Sequence, residues 1–271
     1  MNKKIVLVGC GKMGSALLEG WLEVGLPKSN IFVVEPNLAS MSKTKNYFGV
    51  NCAASHNDLP KNLNPNAILF AVKPQLMNMV IPNYIRFNIP KTTFISIAAG
   101  KPTIYFEKYF KPKTSIIRAM PNTPASIRRG ITVAYANKSV KIDEKETATI
   151  LLKAGGELHW VIDESLIDTV TALSGGGPAY VFLLVECLSK AGIEAGLPPE
   201  LSSRLARVTV SGSGELLHRS SESPSTLRES VTSPGGTTAE ALRVLMTKDK
   251  LQSMISRAIA AAKQKSRELA S

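Results

Sequence analysis

The chain is poor in the residue types that most often carry reaction chemistry. Among 271 residues there are three histidines, His56, His159 and His218, and three cysteines, Cys10, Cys52 and Cys187. The cysteines are odd in number and lack C-x-x-C spacing, which argues against a disulfide framework and for a reducing compartment. The histidines are scattered with no ligand cluster around them, so no metal site is expected. Long hydrophobic runs are also missing. The longest, residues 179–185, falls far short of a membrane span. Lys3 and Lys4 precede an apolar run, but it ends at Gly9 and is too short for a signal peptide. These absences predict a cytoplasmic protein with no membrane partner.

Charge of one sign is in short supply: 33 basic residues stand against 21 acidic ones, a formal net charge of +12. The basic residues are dispersed, with no block of five or six and no interleaved aromatics, so no nucleic-acid partner is expected. A lysine-rich solvated surface accounts for most of the excess, which also raises the local concentration of anionic ligands. The hydrophobic fraction of 44% and charged fraction of 20% are ordinary for a soluble globular chain of one large or two medium domains.

Two glycine-rich turns stand out, each leading into a helical pattern. The first, Gly9-Cys10-Gly11-Lys12-Met13-Gly14, follows the strand-like run Ile5-Val6-Leu7-Val8. The second, Ser233-Pro234-Gly235-Gly236-Thr237-Thr238, precedes Ala239-Glu240-Ala241-Leu242. A helix N-terminus carries unpaired N–H groups and the positive end of a dipole, so each turn suits a phosphate or carboxylate. The pairing suggests an enzyme that brings a dinucleotide and a small anionic substrate together.

The intervening pattern supports this. Strands are predicted at 4–8, 31–35, 67–72, 93–98, 115–120, 131–135 and 158–162, several of them continuous apolar runs suited to a parallel sheet buried on both faces. Helices are predicted at 12–24, ended by Gly25, and at 144–153, capped by Asp143 with Glu146. After residue 162 strand signals stop, and helices are predicted at 164–173, 178–195, 199–218, 224–231, 237–246 and 250–269. The expected fold class is α/β: a Rossmann-like doubly wound domain over residues 1–162, then an all-α dimerisation and substrate-binding domain over 163–271. Apolar residues such as Leu183, Leu184, Leu188, Leu205, Val208, Val210 and Leu217 exceed what a short helical tail buries on itself, hence the expected dimer.

Gly9, Gly11 and Gly14 fit G-x-G-x-x-G: the first for the tight turn, the second for backbone approach to a pyrophosphate, the third for helix–strand packing. Glu35 ends the second strand, 21 residues past Gly14. A carboxylate there accepts from ribose hydroxyls and repels a 2′-phosphate, favouring NADH over NADPH, unless Lys43 and Lys45 fold over the site. The alternative is a solvent-facing strand end before Pro36. Ala71-Val72-Lys73-Pro74 ends a further strand, where ligand crevices form; Lys73 meets a phosphate or ribose, or is simply exposed. The rigid loop Arg118-Ala119-Met120-Pro121-Asn122-Thr123-Pro124 either closes over a nicotinamide or only connects. Ser174-Gly175-Gly176-Gly177-Pro178 opens a helix and permits close backbone approach, to a cofactor or to another helix.

In order and spacing, GCGKMG (9–14), AVKP (71–74), SIAAG (96–100), IRAMPNTPA (117–125), LSGGGPAYVF (173–182) and SPGGTT (233–238) resemble pyrroline-5-carboxylate reductases, across essentially the whole chain. The resemblance implies reduction of (S)-1-pyrroline-5-carboxylate to L-proline by NADPH or NADH, the last step of proline synthesis, in a homodimer or an oligomer of dimers. It implies a cofactor site of Gly9, Cys10, Gly11, Lys12, Met13, Ala71, Val72, Lys73, Ala99 and Asn57, joined by the strand-end candidates Gly14, Glu35, Pro74, Met120 and Asn122. It implies a substrate site of Ser233, Gly235, Gly236, Thr237 and Thr238, with the Thr238 hydroxyl at the ring nitrogen as the catalytic group. Glu35 and Gly176 depart from common family residues, and Arg128-Arg129 has no account in sequence. The alternative reading is a related imine reductase or β-hydroxyacid dehydrogenase using a helical lysine; Lys190 is the only lysine between residues 164 and 219.

Overall fold

A computed structural model describes residues 3–269. Eight strands form one sheet: β1 (Ile5–Val8), β2 (Ile31–Val34), β3 (Asn51–Ala53), β4 (Ala67–Phe70), β5 (Thr93–Ser96), β6 (Ser115–Met120), β7 (Gly130–Ala136) and β8 (Gly156–Val161). Their order is β3-β2-β1-β4-β5-β6-β7-β8. Strands β1 and β4 are fully apolar and buried on both faces, as their uninterrupted hydrophobic runs require. The pairing is parallel from β3 through β6, with Val8 opposite both Val34 and Phe70. The exception is β6–β7, which is antiparallel. A short connection cannot carry a parallel crossover, and only the turn Thr123–Ile127 lies between these strands. Parallel pairing resumes at β7–β8 across a helix.

Helices cover the sheet: α1 (Lys12–Glu23), α2 (Leu38–Phe48), α3 (Met77–Val80), α4 (Thr103–Glu107), α5 (Ile142–Lys153) and α6 (Leu166–Val170). One core lies under α1 and α5, where the Trp21 indole N–H donates to the Leu151 carbonyl at 2.8 Å. The other holds the aromatic group Phe70, Tyr84, Phe94 and Phe106. Strand β3 and helix α2 were not predicted. β3 has three residues and an exposed Asn51, while α2 is mostly polar, with Thr44 its one buried residue. Its signals were its ends: the Asn37 side chain accepts from the Ser40 N–H at 2.9 Å, and Gly49 closes it at φ +68. The cap of α5 also differs from expectation. Glu144, not Glu146, reaches back, accepting from the Lys141 N–H at 2.8 Å and from Ser115 Oγ at 2.7 Å.

The helices predicted at 164–173 and 178–195 are not separated by a glycine loop. A π-helical turn, Thr171–Gly175, joins α6 to α7 (Gly177–Glu194). The compact units divide after Gly176, past the boundary set at 162 by the loss of strand signals. Buried Ile167 of α6 packs with Met120 and Val133 of the sheet, which keeps this segment in the first unit. Residues from Ala262 onward also belong to it: Ser266 Oγ donates to Asp168 Oδ1 at 2.9 Å and Lys101 Nζ to the Leu269 carbonyl at 3.2 Å.

The second unit runs from Gly177 to Ala261. It contains α7, α8 (Pro199–Arg219), α9 (Pro224–Ser230), α10 (Thr237–Met246) and most of α11 (Lys250–Glu268). Where α7 meets α8, a Cβ on Gly192 would overlap the Ser202 hydroxyl, which donates to the Ser189 carbonyl at 2.7 Å. Among the described residues, Ser202 and Ala206 are the only buried ones of α7 through α10.

Candidate active site

In an open parallel sheet, ligands bind beyond the carboxyl ends of strands, where the order reverses. Here the chain leaves β1 with β2 on one side and β4 on the other, so the crevice falls over β1 and β4. Gly9 follows β1 at φ +88 and donates to the Val34 carbonyl at 2.9 Å. A side chain there would lie 2.8 Å from Val72 Cγ1. A Cβ on Gly14 would run into the Gly9 carbonyl, so α1 sits hard against the turn. Gly11 is different: nothing lies within 4 Å of its Cβ position. Gly11 is also the N-cap of α1, and no side chain caps it. The turn thus leaves first-turn N–H groups facing open space, the arrangement a pyrophosphate needs.

Glu35 follows β2 and turns inward, half-buried, instead of facing solvent. Its Oε2 accepts from the Cys10 N–H at 3.0 Å and its Oε1 from the Asn37 N–H at 3.1 Å. The Cys10 thiol is held above its ordinary range, first by burial and then by the Glu35 charge, against a hydrogen bond with Thr44. It is a neutral packing group. Beside it lies a cleft of about 510 Å³, lined among others by Gly11, Lys12, Ser15, Ser40 and Lys43. Its far wall is α2, so sequence reasoning missed Ser40 and Thr44 along with the helix.

Ala71 continues from β4, its N–H donating to the Val8 carbonyl at 2.8 Å; Val72 is half-buried, and exposed Lys73 precedes the turn Pro74–Leu76. Ala99 packs half-buried beside Met120. Asn57 sits exposed in the turn His56–Asp58, its N–H held by Ser55 Oγ at 3.2 Å. Asn122 spends its side-chain oxygen internally, accepting from the Ile131 N–H at 2.9 Å to start β7. Of the glycines 175–177, Gly175 approaches a protein group within the first unit: a Cβ there would lie 3.3 Å from Met120 Sδ, whereas nothing lies within 4 Å of a Cβ on Gly177.

The second glycine turn lies in the second unit. The Gly236 N–H donates to the Ser233 carbonyl at 3.0 Å, and Gly235 takes φ +71, which favours glycine. Gly236 is the N-cap of α10, again with no side-chain cap, and Thr237 and Thr238 are its first two helical residues. Thr238 is exposed and does not cap the helix.

The first unit defines the class: a Rossmann dinucleotide-binding protein, here followed by an apolar-faced helical unit. Comparison with known proteins narrows it. The family described as pyrroline-5-carboxylate reductase dimerisation matches residues 164–269, and that described as NADP oxidoreductase coenzyme F420-dependent matches residues 4–100. The chain is 35% identical to a pyrroline-5-carboxylate reductase of Pseudomonas aeruginosa, over 98% of this chain and 97% of the relative. It is similar to the structure of such a reductase from Coxiella burnetii, with a TM-score of 0.92, 34% identity and full coverage of both chains. It is similar also to the Plasmodium falciparum enzyme with NADP bound, with a TM-score of 0.83, 32% identity, and coverage of 100% of this chain and 99% of that one. The chain belongs to the pyrroline-5-carboxylate reductase family.

Proposed function

We propose that the protein reduces (S)-1-pyrroline-5-carboxylate to L-proline with NADH or NADPH, in the cytoplasm, as a homodimer. The observation that carries this reading is the pair of glycine turns, each opening a helix that no side chain caps. The nicotinamide cofactor, when bound, supplies the hydride for the C=N carbon. The protein's part is to orient two reactants and hold their charges. The first-turn N–H groups of α1 take the pyrophosphate, with Ala71, Val72 and Ala99 along the crevice. The N–H groups of residues 235–238 take the substrate carboxylate. The Thr238 hydroxyl hydrogen-bonds the ring nitrogen as it becomes an amine. A protonated cyclic imine is already electrophilic, so this scheme needs no strong protein acid or nucleophile.

The helical unit supports the dimer. Val181, Phe182, Leu183, Leu184 and Leu188 of α7 and Leu205, Val208 and Leu217 of α8 are exposed, though Val210 is only partly so. By length and composition the helical run Leu166–Glu194 is also apolar enough to cross a membrane, with a mean hydropathy of 1.3. A second copy of the chain is the cover we assign to this face, given the dimerisation family it matches.

The test is a turnover assay with pyrroline-5-carboxylate and each reduced dinucleotide, beside a panel of other imines and keto acids. Substrate-dependent oxidation of NADH or NADPH is expected with pyrroline-5-carboxylate. Turnover of a hydroxyacid or keto acid alone would favour the dehydrogenase alternative, whose candidate lysine, Lys190, is exposed on α7.

A further inference from the structure

The loop between β2 and α2 is where an adenosine ribose would meet the protein, if the first glycine turn holds a dinucleotide as read above. A 2′-phosphate on that ribose needs hydrogen-bond donors or cations from this loop. Two of its backbone donors are already engaged. The Asn37 N–H donates to Glu35 Oε1 at 3.1 Å and the Ser40 N–H to Asn37 Oδ1 at 2.9 Å. A carboxylate stands where the phosphate would need positive charge. Its direction is fixed, because its other oxygen accepts from the Cys10 N–H at 3.0 Å, across 25 residues of sequence.

The sequence left open whether Lys43 and Lys45 offset that charge. Among the described residues no ion pair joins Glu35 to Lys12, Lys43 or Lys45. Lys43 and Lys12 line the cleft between α1 and α2, and Lys45 acts on the Cys52 thiol, whose ionised form it favours. The carboxylate is left unneutralised and locked in place by two backbone N–H groups. A hydroxyl donor suits it, and a phosphate dianion does not.

We propose that the segment Glu35 to Ser40 makes this enzyme select NADH over NADPH, with Glu35 accepting from the ribose hydroxyls and excluding the 2′-phosphate. This separates the chain from its Plasmodium falciparum relative, whose structure has NADP bound.

The test is direct binding of NADH and NADPH to the folded protein without imine substrate, followed by dinucleotide fluorescence or calorimetry. Two variants accompany the parent: Glu35→Gln, which removes the charge and keeps one of the two backbone hydrogen bonds, and Glu35→Ser, which removes both. The parent is expected to bind NADH more tightly than NADPH, by roughly tenfold or more. Both variants should bring the two dissociation constants closer, chiefly by tightening NADPH. Thermal melts of the variants show whether the β2–α2 turn has survived, and Glu35→Gln is the variant least able to disturb it. Equal affinities in the parent, or a ratio unmoved by Glu35→Gln in folded protein, would overturn the inference and leave the dinucleotide site standing. Binding of neither dinucleotide would overturn both.

Discussion

Arg118, on β6, is almost fully enclosed and donates to Asp168 at 2.7 Å, with Glu164 at 3.7 Å. Glu164 in turn accepts from the Thr103 N–H and hydroxyl at 2.7 and 2.8 Å. Removing one partner of such a cluster strands the others. Arg118→Met is therefore expected to destabilise the fold by about 3 kcal/mol, the lower end for a buried pair because both carboxylates retain some solvent. The shift in denaturant midpoint measures it. Arg128, which had no account in sequence, clamps the loop after β6 to α1. Held at φ +60, it meets Glu23 at 2.6 Å and the Ala125 and Ala16 carbonyls at 3.0 and 3.2 Å. Thr238 is the opposite case, an exposed group with no structural bond to lose. Thr238→Ala should leave the melting temperature unchanged and lower turnover by roughly tenfold or more, if its hydroxyl holds the ring nitrogen. Thr237→Ala is the milder control. Equal turnover in Thr238→Ala and the parent would shift the burden to the Gly235 and Gly236 backbone.

Burial also sets how the molecule responds to alkali. The Cys10 and Cys52 thiols are pushed above the ordinary 9.0, and Tyr84 above 10.0, each first by burial. The unfolded chain then loses these protons before the folded one does. Stability from the neutral groups is complete below about pH 9 and falls as pH rises beyond it. Melting temperatures measured on either side of pH 9 should decline toward high pH, and Cys10→Ala should flatten the decline.

Elements were legible where local pattern and local need coincide. The long apolar strands and the glycine stops of α1 follow from burial on both faces and from the left-handed residue at Gly25. Helix α2 was not, because its surface is polar and only its ends, Asn37 and Gly49, announce it. That omission hid half of the cleft beside Cys10. The three glycines of G-x-G-x-x-G also prove unequal. Gly14 is needed because α1 touches the Gly9 carbonyl, whereas Gly11 faces open space. Gly14→Ala is thus expected to lower stability. Gly11→Ala, at φ −71 where alanine is unstrained, should fold normally and bind NADH and NADPH more weakly. Melting curves and a binding titration on both variants separate the two roles.

At the scale of the whole molecule, the helical unit buries little of its own apolar surface. Burial of apolar area is the main favourable term in folding, and among the described residues α7 through α10 enclose only Ser202 and Ala206. With the homodimer proposed above, Leu183→Asp or Val208→Asp should drive the protein to monomer or aggregate and abolish turnover. Light scattering on dilution to low micromolar concentration checks the parent, and a stable, active monomer there would refute the dimer.

The sequence by itself determined the alternation of strands and helices, the place where strands cease, the two glycine turns that open helices and the order of blocks that carries the family resemblance. These depend on neighbours: apolar periodicity, backbone freedom and helix ends act within a few residues. Tertiary structure alone decided which way Glu35 points, what Arg118 and Arg128 hold, and that the chain continues as helix through Thr171–Gly175. Those outcomes rest on partners 25, 50 and 105 residues away, and no local pattern records which distant carboxylate or N–H will be brought within hydrogen-bond reach.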